Sequence, residues 1–148
     1  MMNLINQYKK AVGRLSHLAE IPVLMLRIML GFGFYQPAIM KWKDMEATAI
    51  WFNKIGIPAP VLGSYLAASS EIAAVVLLPL GLASRIIAIP LLIVLLVAIV
   101  TVHLGNGFYA GNNGFEVPFY YIVMLFGLLI NGSGKISLDN IIKRRIKQ

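Results

Sequence analysis

Four apolar stretches, at roughly residues 21–41, 60–80, 84–104 and 116–131, occupy most of this chain and constrain it more than any other feature. A helix needs about 20 residues to cross the hydrocarbon of a bilayer. The third stretch, SRIIAIPLLIVLLVAIVTVHL, meets that length with a single charge at its start, and the fourth, EVPFYYIVMLFGLLIN, is the shortest. A backbone inside lipid must satisfy its own hydrogen bonds, so runs of this kind become helices. The expected fold is therefore all-α: a polytopic membrane protein, a bundle of four transmembrane helices forming a single domain over residues 1–148. Hydrophobic residues make up 59% of the chain, and the mean hydropathy of +0.79 excludes an ordinary soluble balance.

The positive-inside rule orients the bundle. One side collects Lys9, Lys10, Arg14, Arg85, Lys135, Lys143, Arg144, Arg145 and Lys147, and the other only Lys41, Lys43 and Lys54. Both termini are thus expected in the cytoplasm. The net charge of +7 sits at the two ends of the chain beside apolar residues, which favours anionic lipid as partner over nucleic acid.

Three interfacial amphipathic helices are expected around the bundle. The first 20 residues are too polar for the apolar core of a cleavable signal peptide, and place Leu4, Tyr8, Val12 and Leu15 on one face. The tail SLDNIIKRRIKQ sets Ile141, Ile142 and Ile146 beside four cations, with Ser137 or Asp139 as cap. In the first external loop, Met45, Thr48, Trp51, Phe52 and Ile55 recur at helical spacing, predicting a short helix that lies as a lid across the outer end.

Ionisable groups inside such segments are costly and call for partners. Arg27 lies in the first segment and Glu71 in the second, and helical rise puts their backbones within roughly 5 Å of the same depth. Arg27–Glu71 is the expected pair. It is either a pin that holds two helices in register, with Ser69 or Ser70 assisting, or part of a polar pocket for a quinone, an anion or a proton. A second polar group, His103, Asn106 and Glu116, gathers between the third and fourth segments, with Tyr109, Tyr120 and Tyr121 nearby. Glu116 also suits the positive end of a helix dipole, and His103 a hydrogen bond to a carbonyl, so a structural and a ligand-binding reading both stand.

With no cysteine, disulfides, thiolate chemistry, iron–sulfur clusters and Cys-ligated zinc are excluded. His17 and His103 fall on opposite sides of the membrane, which argues against a haem ligand pair. No flavin or nucleotide fingerprint, GxSxG elbow or HExxH motif is present, and no dedicated metal site is expected. Any redox chemistry would need a molecule that the protein binds.

The pieces LRIMLGFGF, GIPAP, EIAAVVLLPLGLASR, VHLGNGF, GFEVP and GSGKISLD occur in an order and spacing that resemble the DoxX family of small bacterial membrane proteins, from about Leu24 to Asp139. Family members often carry a His-Gly pair followed by a lysine at the end of the first helix. Here Lys41 is kept, while Gln36 and Pro37 stand in that region. The resemblance implies a compact four-helix protein of the bacterial cytoplasmic (inner) membrane, in some members a subunit of an oxidoreductase that passes electrons to quinone and in others a component of an oxidative-stress complex. On this reading the chain is a small membrane subunit of a quinone-linked complex with a soluble oxidoreductase partner. The alternative is a non-enzymatic scaffold or assembly protein whose polar pairs are structural. A transporter is disfavoured because no inverted repeat is visible, and a homo-oligomer stays open.

Overall fold

The computed structural model describes residues 5–7 and 18–146, and among these the structure is helical with no strand. The surface helix expected over the first 20 residues lies largely outside the described residues. From residue 18 to residue 146 six α-helices succeed one another: α1 (Glu20–Lys43), α2 (Met45–Lys54), α3 (Pro60–Leu80), α4 (Ser84–Ala98), α5 (Glu116–Asn131) and α6 (Leu138–Ile146). A π turn over Ile99–His103 and a 3-10 turn over Leu104–Asn106 extend α4. Three units, Glu20–Lys43, Pro60–Leu80 and Ser84–Asn106, are long and apolar enough to cross a membrane, and α5 is a shorter apolar helix of 16 residues.

Local chemistry sets the helix ends. Asp44 caps α2 by accepting from the Ala47 N–H at 2.8 Å. Proline opens α3, where its missing N–H costs nothing. Gly81 closes α3 in the left-handed conformation (φ 66°), with its own N–H and that of Leu82 returned to the Leu78 and Leu77 carbonyls. Pro37, Pro79 and Pro90 are accommodated inside α1, α3 and α4.

The core is built from Leu30 and Phe34 of α1, Ala74 and Leu78 of α3, Leu91 and Leu95 of α4, and Leu125 and Leu128 of α5. The buried face of α3 reads Ser64, Ala67, Ala68, Glu71, Ala74 and Leu78, a stripe of mostly small residues at helical spacing that lets α1 approach closely. Gly31 serves the same contact, since a side chain there would collide with the Pro79 ring at 2.6 Å. Outward-facing positions are apolar instead of charged: Phe32 is 83% exposed, Ile86 73% and Val100 68%. An apolar exterior around a packed interior is the surface of a membrane protein.

The two ends of the molecule differ. At one end the start of α1 meets the segment before α6, where Glu20 accepts from the Lys135 N–H and the Asp139 N–H donates to the Gly81 carbonyl at 3.1 Å. At the other end α2 packs across α3, and the 107–115 loop folds back on itself through Phe115 N–H to the Gly107 carbonyl and Glu116 N–H to the Phe108 carbonyl.

Candidate functional site

The expected Arg27–Glu71 pair does not form. Lys41 is the partner of Glu71: its Nζ donates to Oε1 at 2.9 Å and to Oε2 at 2.8 Å, with a longer contact to the Pro37 carbonyl at 3.5 Å. The reason is side-chain direction. A helical Cα–Cβ bond tilts toward the N-terminus of its helix, and α1 and α3 run antiparallel. Arg27 therefore leans toward the end that carries the start of α1, while Glu71 leans toward the opposite end, and the two diverge from similar depths. Lys41 lies 14 residues, or about 21 Å of helical rise, beyond Arg27. From there it leans back into the bundle and meets Glu71 head on.

Arg27, only 1% exposed, instead donates through Nη2 to the Ile136 carbonyl. Its Nε and Nη1 find no partner among the described residues, nor does the buried Ser84 hydroxyl. The guanidinium lies against Gly81, where any side chain would overlap Nη1, so Gly81 supplies both the left-handed turn and the space. Around it the end of the bundle is knitted by Asp139. That carboxylate accepts from Ser133 Oγ and from the Ala83 N–H at 3.0 Å, and so caps α4. Ser137, and not Asp139, caps α6, accepting from the Asn140 N–H at 3.2 Å. Burial pushes the Asp139 carboxyl up, but the hydrogen bonds from Ser133 and Ala83, the Lys143 charge and the Ser84 N–H outweigh it and hold it below its ordinary value. Arg27, Ser84, Ser133 and Ser137 are all buried here, which makes the region a joint between helices.

The Lys41–Glu71 pair is differently placed. It lies in the wall of a cavity of about 480 Å³ that α1, α3, α4 and α5 share and that α2 covers with Trp51 and Phe52. The walls are chiefly apolar, with Phe34, Phe52, Leu66, Val94 and Pro118 among them. The Glu71 side chain is 4% exposed and the Lys41 side chain 18%, so the carboxylate is the deeper partner and the lysine its edge toward the cavity. The indole N–H of Trp42 donates to the Ala68 carbonyl at 3.2 Å and fixes the register of α1 and α3 beside the pair. Ser70 takes no part, returning its hydroxyl to the Leu66 carbonyl at 2.7 Å.

His103 lines the same cavity, carried there by the π turn, in which the Leu104 N–H reaches the Ile99 carbonyl. Such a turn inserts one residue into α4 and so rotates the residues beyond it; π turns concentrate at functional sites. The ring is held by its Nδ1, which lies 2.8 Å from the Asn113 carbonyl. Asn113 is in the left-handed conformation (φ 59°), and its carbonyl also accepts from Asn106 Nδ2 at 3.3 Å. Asn106 and Glu116 thus brace the loop from its two ends: Glu116 accepts from the Ala110 N–H at 2.9 Å and from the Tyr120 hydroxyl at 3.0 Å. Of the three tyrosines expected as walls, Tyr121 lines the cavity, its ring edge-on to Phe34 at 5.6 Å and its hydroxyl over Gly33, where a side chain would displace it.

The structure therefore gathers Lys41, Glu71, His103 and Tyr121 at one cavity and leaves Arg27 at the opposite end of α1. Among the described residues no group of three or more His, Cys, Asp or Glu gathers to hold a metal. The Lys41–Glu71 pairing was open to sequence reasoning, because Lys41 falls on the same face of α1 as Arg27, Gly31, Phe34 and Ala38. The π turn and the Asn113 carbonyl leave no such signal.

A family model described as DoxX matches residues 23–104. An uncharacterized protein of Haemophilus influenzae is 32% identical over 133 residues, covering 84% of this chain and 85% of its own. A Bacillus subtilis protein named "Putative oxidoreductase CatD" is 34% identical over 122 residues, with 81% and 86% covered. An uncharacterized membrane protein of Mycobacterium tuberculosis is 31% identical over 144 residues, with 89% and 88% covered. No solved structure matches the chain.

Proposed function

The chain belongs to the DoxX family, and on that premise we propose that it is a small membrane subunit of a quinone-linked oxidoreductase complex, with the quinone head group held in the Lys41–Glu71 cavity. The observation that carries this reading is the pairing of an apolar cavity with a buried ion pair in its wall. Ligand sites of a few hundred Å³ combine apolar and aromatic walls with a small number of placed polar groups. A flat ring bearing two oxygens suits Phe34 and Phe52 as walls, with the Tyr121 hydroxyl able to donate to a quinone oxygen and Glu71 and His103 able to accept from the O–H of its reduced form. The Bacillus relative's name as an oxidoreductase is in keeping with it.

In this reading α5 joins the three longer helices in crossing the bilayer, giving four spans with both termini on the cytoplasmic side of the inner membrane, as the distribution of Lys and Arg favours. The cavity then lies in the outer half, reached by the tail of a lipid-soluble ligand from between the helices. Electrons come from a soluble partner, since the chain supplies no thiolate or haem ligand pair of its own. Helix α6, with Ile141, Ile142 and Ile146 exposed beside Lys143, Arg144 and Arg145, rests on anionic lipid.

The test is direct. Organic extracts of the purified protein should contain quinone, or the protein should bind an added short-chain quinone, and Glu71→Gln should weaken that binding while the protein stays folded. Wild-type protein that neither retains nor binds a quinone in either its oxidised or its reduced form would overturn the reading. The scaffold alternative draws on Arg27, whose contacts are all internal; it gains if Lys41 and Glu71 can both be replaced by methionine without loss of biological function.

A further inference from the structure

The polar groups of the cavity are unequal in what they have left to offer a ligand. Lys41 carries three N–H bonds, of which two go to Glu71 and the third faces the Pro37 carbonyl. The Thr101 hydroxyl donates to the Val97 carbonyl at 2.8 Å. His103 Nδ1 must carry its hydrogen, because the Asn113 carbonyl beside it can only accept. In the neutral imidazole Nε2 is then a bare acceptor, and it makes no hydrogen bond among the described residues. Each Glu71 oxygen accepts one bond from Lys41 and keeps further lone-pair capacity. The Tyr121 hydroxyl has no hydrogen-bond partner among the described residues and can give or take, and Trp51, at the rim, is nearly half exposed. Acceptors at His103 Nε2 and Glu71 thus face the ligand space, with the Tyr121 hydroxyl and the Trp51 indole N–H as the donors left beside them.

Charge narrows the ligand further. Lys41 and Glu71 cancel, so a cation reaching for Glu71 would meet the lysine, and an anion would meet the carboxylate. A neutral molecule is favoured, and the aromatic walls favour a flat ring. Resting on the reading of this cavity as a ligand site, we infer that it selects the hydroxylated form of its ligand, a phenol or hydroquinone, and that His103 Nε2 accepts the ligand's O–H. Asn113 is the positioning residue: its left-handed backbone aims the carbonyl that fixes the tautomer, and Asn106 holds that carbonyl in place.

The experiment uses the full chain in detergent or nanodiscs, labelled with nitrogen-15 in histidine, with the His103 signals assigned by comparison with a His103 variant. The free protein should show Nδ1 protonated and Nε2 bare at His103. A short-chain hydroquinone, kept reduced, should shift the Nε2 resonance and bind at least about tenfold more tightly than its dimethyl ether, the worth of one buried hydrogen bond. His103→Asn keeps a donor where Nδ1 stands and deletes the Nε2 acceptor. It should melt as the wild type does and bind both compounds alike. Equal binding of the two compounds by the wild type, or a hydrogen found on Nε2, overturns the inference and leaves the cavity as a ligand site. Binding of neither compound overturns the inference together with the reading beneath it.

Discussion

Arg27 and Lys41 are cations on one face of one helix, the first buried and the second half-buried, yet their environments are opposite. Arg27 is buried, pressed on Gly81 and bonded to the Ile136 carbonyl, with the Asp139 charge acting on it. Lys41 has a bidentate carboxylate partner and faces a cavity of about 480 Å³. A buried charge by itself therefore says little about function. Whether it borders space that a ligand can fill separates a joint from a site.

That contrast can be broken in several ways, and the largest effect is expected at the joint. Gly81→Ala places a Cβ on the Arg27 guanidinium at a positive φ, and should cost about 4 kcal/mol or more, seen as loss of a monodisperse, folded peak in detergent. A normal melting profile would show that the guanidinium can move aside.

Next comes the ion pair. Lys41→Met alone leaves Glu71 buried without its partner and should cost about 3 kcal/mol in thermal or denaturant unfolding. The double replacement of Lys41 and Glu71 by methionine should recover most of that stability while quinone binding stays lost. Stability and binding then separate at this end. If the double variant still binds, the pair is only a pin.

Arg27→Lys should behave in the reverse manner, with a loss of about 1–2 kcal/mol from the poorer fit to the Ile136 carbonyl and no change in quinone affinity. A change in affinity with unchanged stability would contradict the assignment of the two ends.

Acid should act on the joint too. The Asp139 carboxyl is held below its ordinary value in the folded protein, so its stabilisation is fully present above the ordinary carboxylate range and is lost as pH falls through the lowered folded value. Melting curves of wild type and Asp139→Asn should differ by about 1 kcal/mol near neutrality and converge in acid. The smallest effect is expected for Lys135→Ala, whose ion pair with Glu20 is exposed: a few tenths of a kcal/mol, fading with salt.

Much of the architecture is legible in the residues alone. Continuous apolar runs bounded by Pro60, Pro118, Gly81 and Gly132 can only be helices in lipid, and the spacing of Met45, Trp51 and Phe52 marks α2. Glu71 stands out because a single carboxylate within an apolar span needs a partner. Depth along a helix, weighed without the direction in which side chains lean, points to Arg27 and so to the wrong cation. His103 and Asn106 are recognisable as neighbours in a turn, but only the folded loop shows that they meet at the Asn113 carbonyl, which belongs to the backbone and so has no residue type to betray it.

By itself, then, the sequence determined the helices, their apolar exterior and the need for buried charges to be compensated, because those arise from local hydrogen bonding and from the cost of placing charge in hydrocarbon. Tertiary structure alone decided which cation meets Glu71, that a π turn brings His103 to the same cavity, and that one buried charge is walled in while the other borders open space. Those outcomes depend on the antiparallel lean of two helices and on a hydrogen bond closed across a loop, distances that no local pattern of residues encodes.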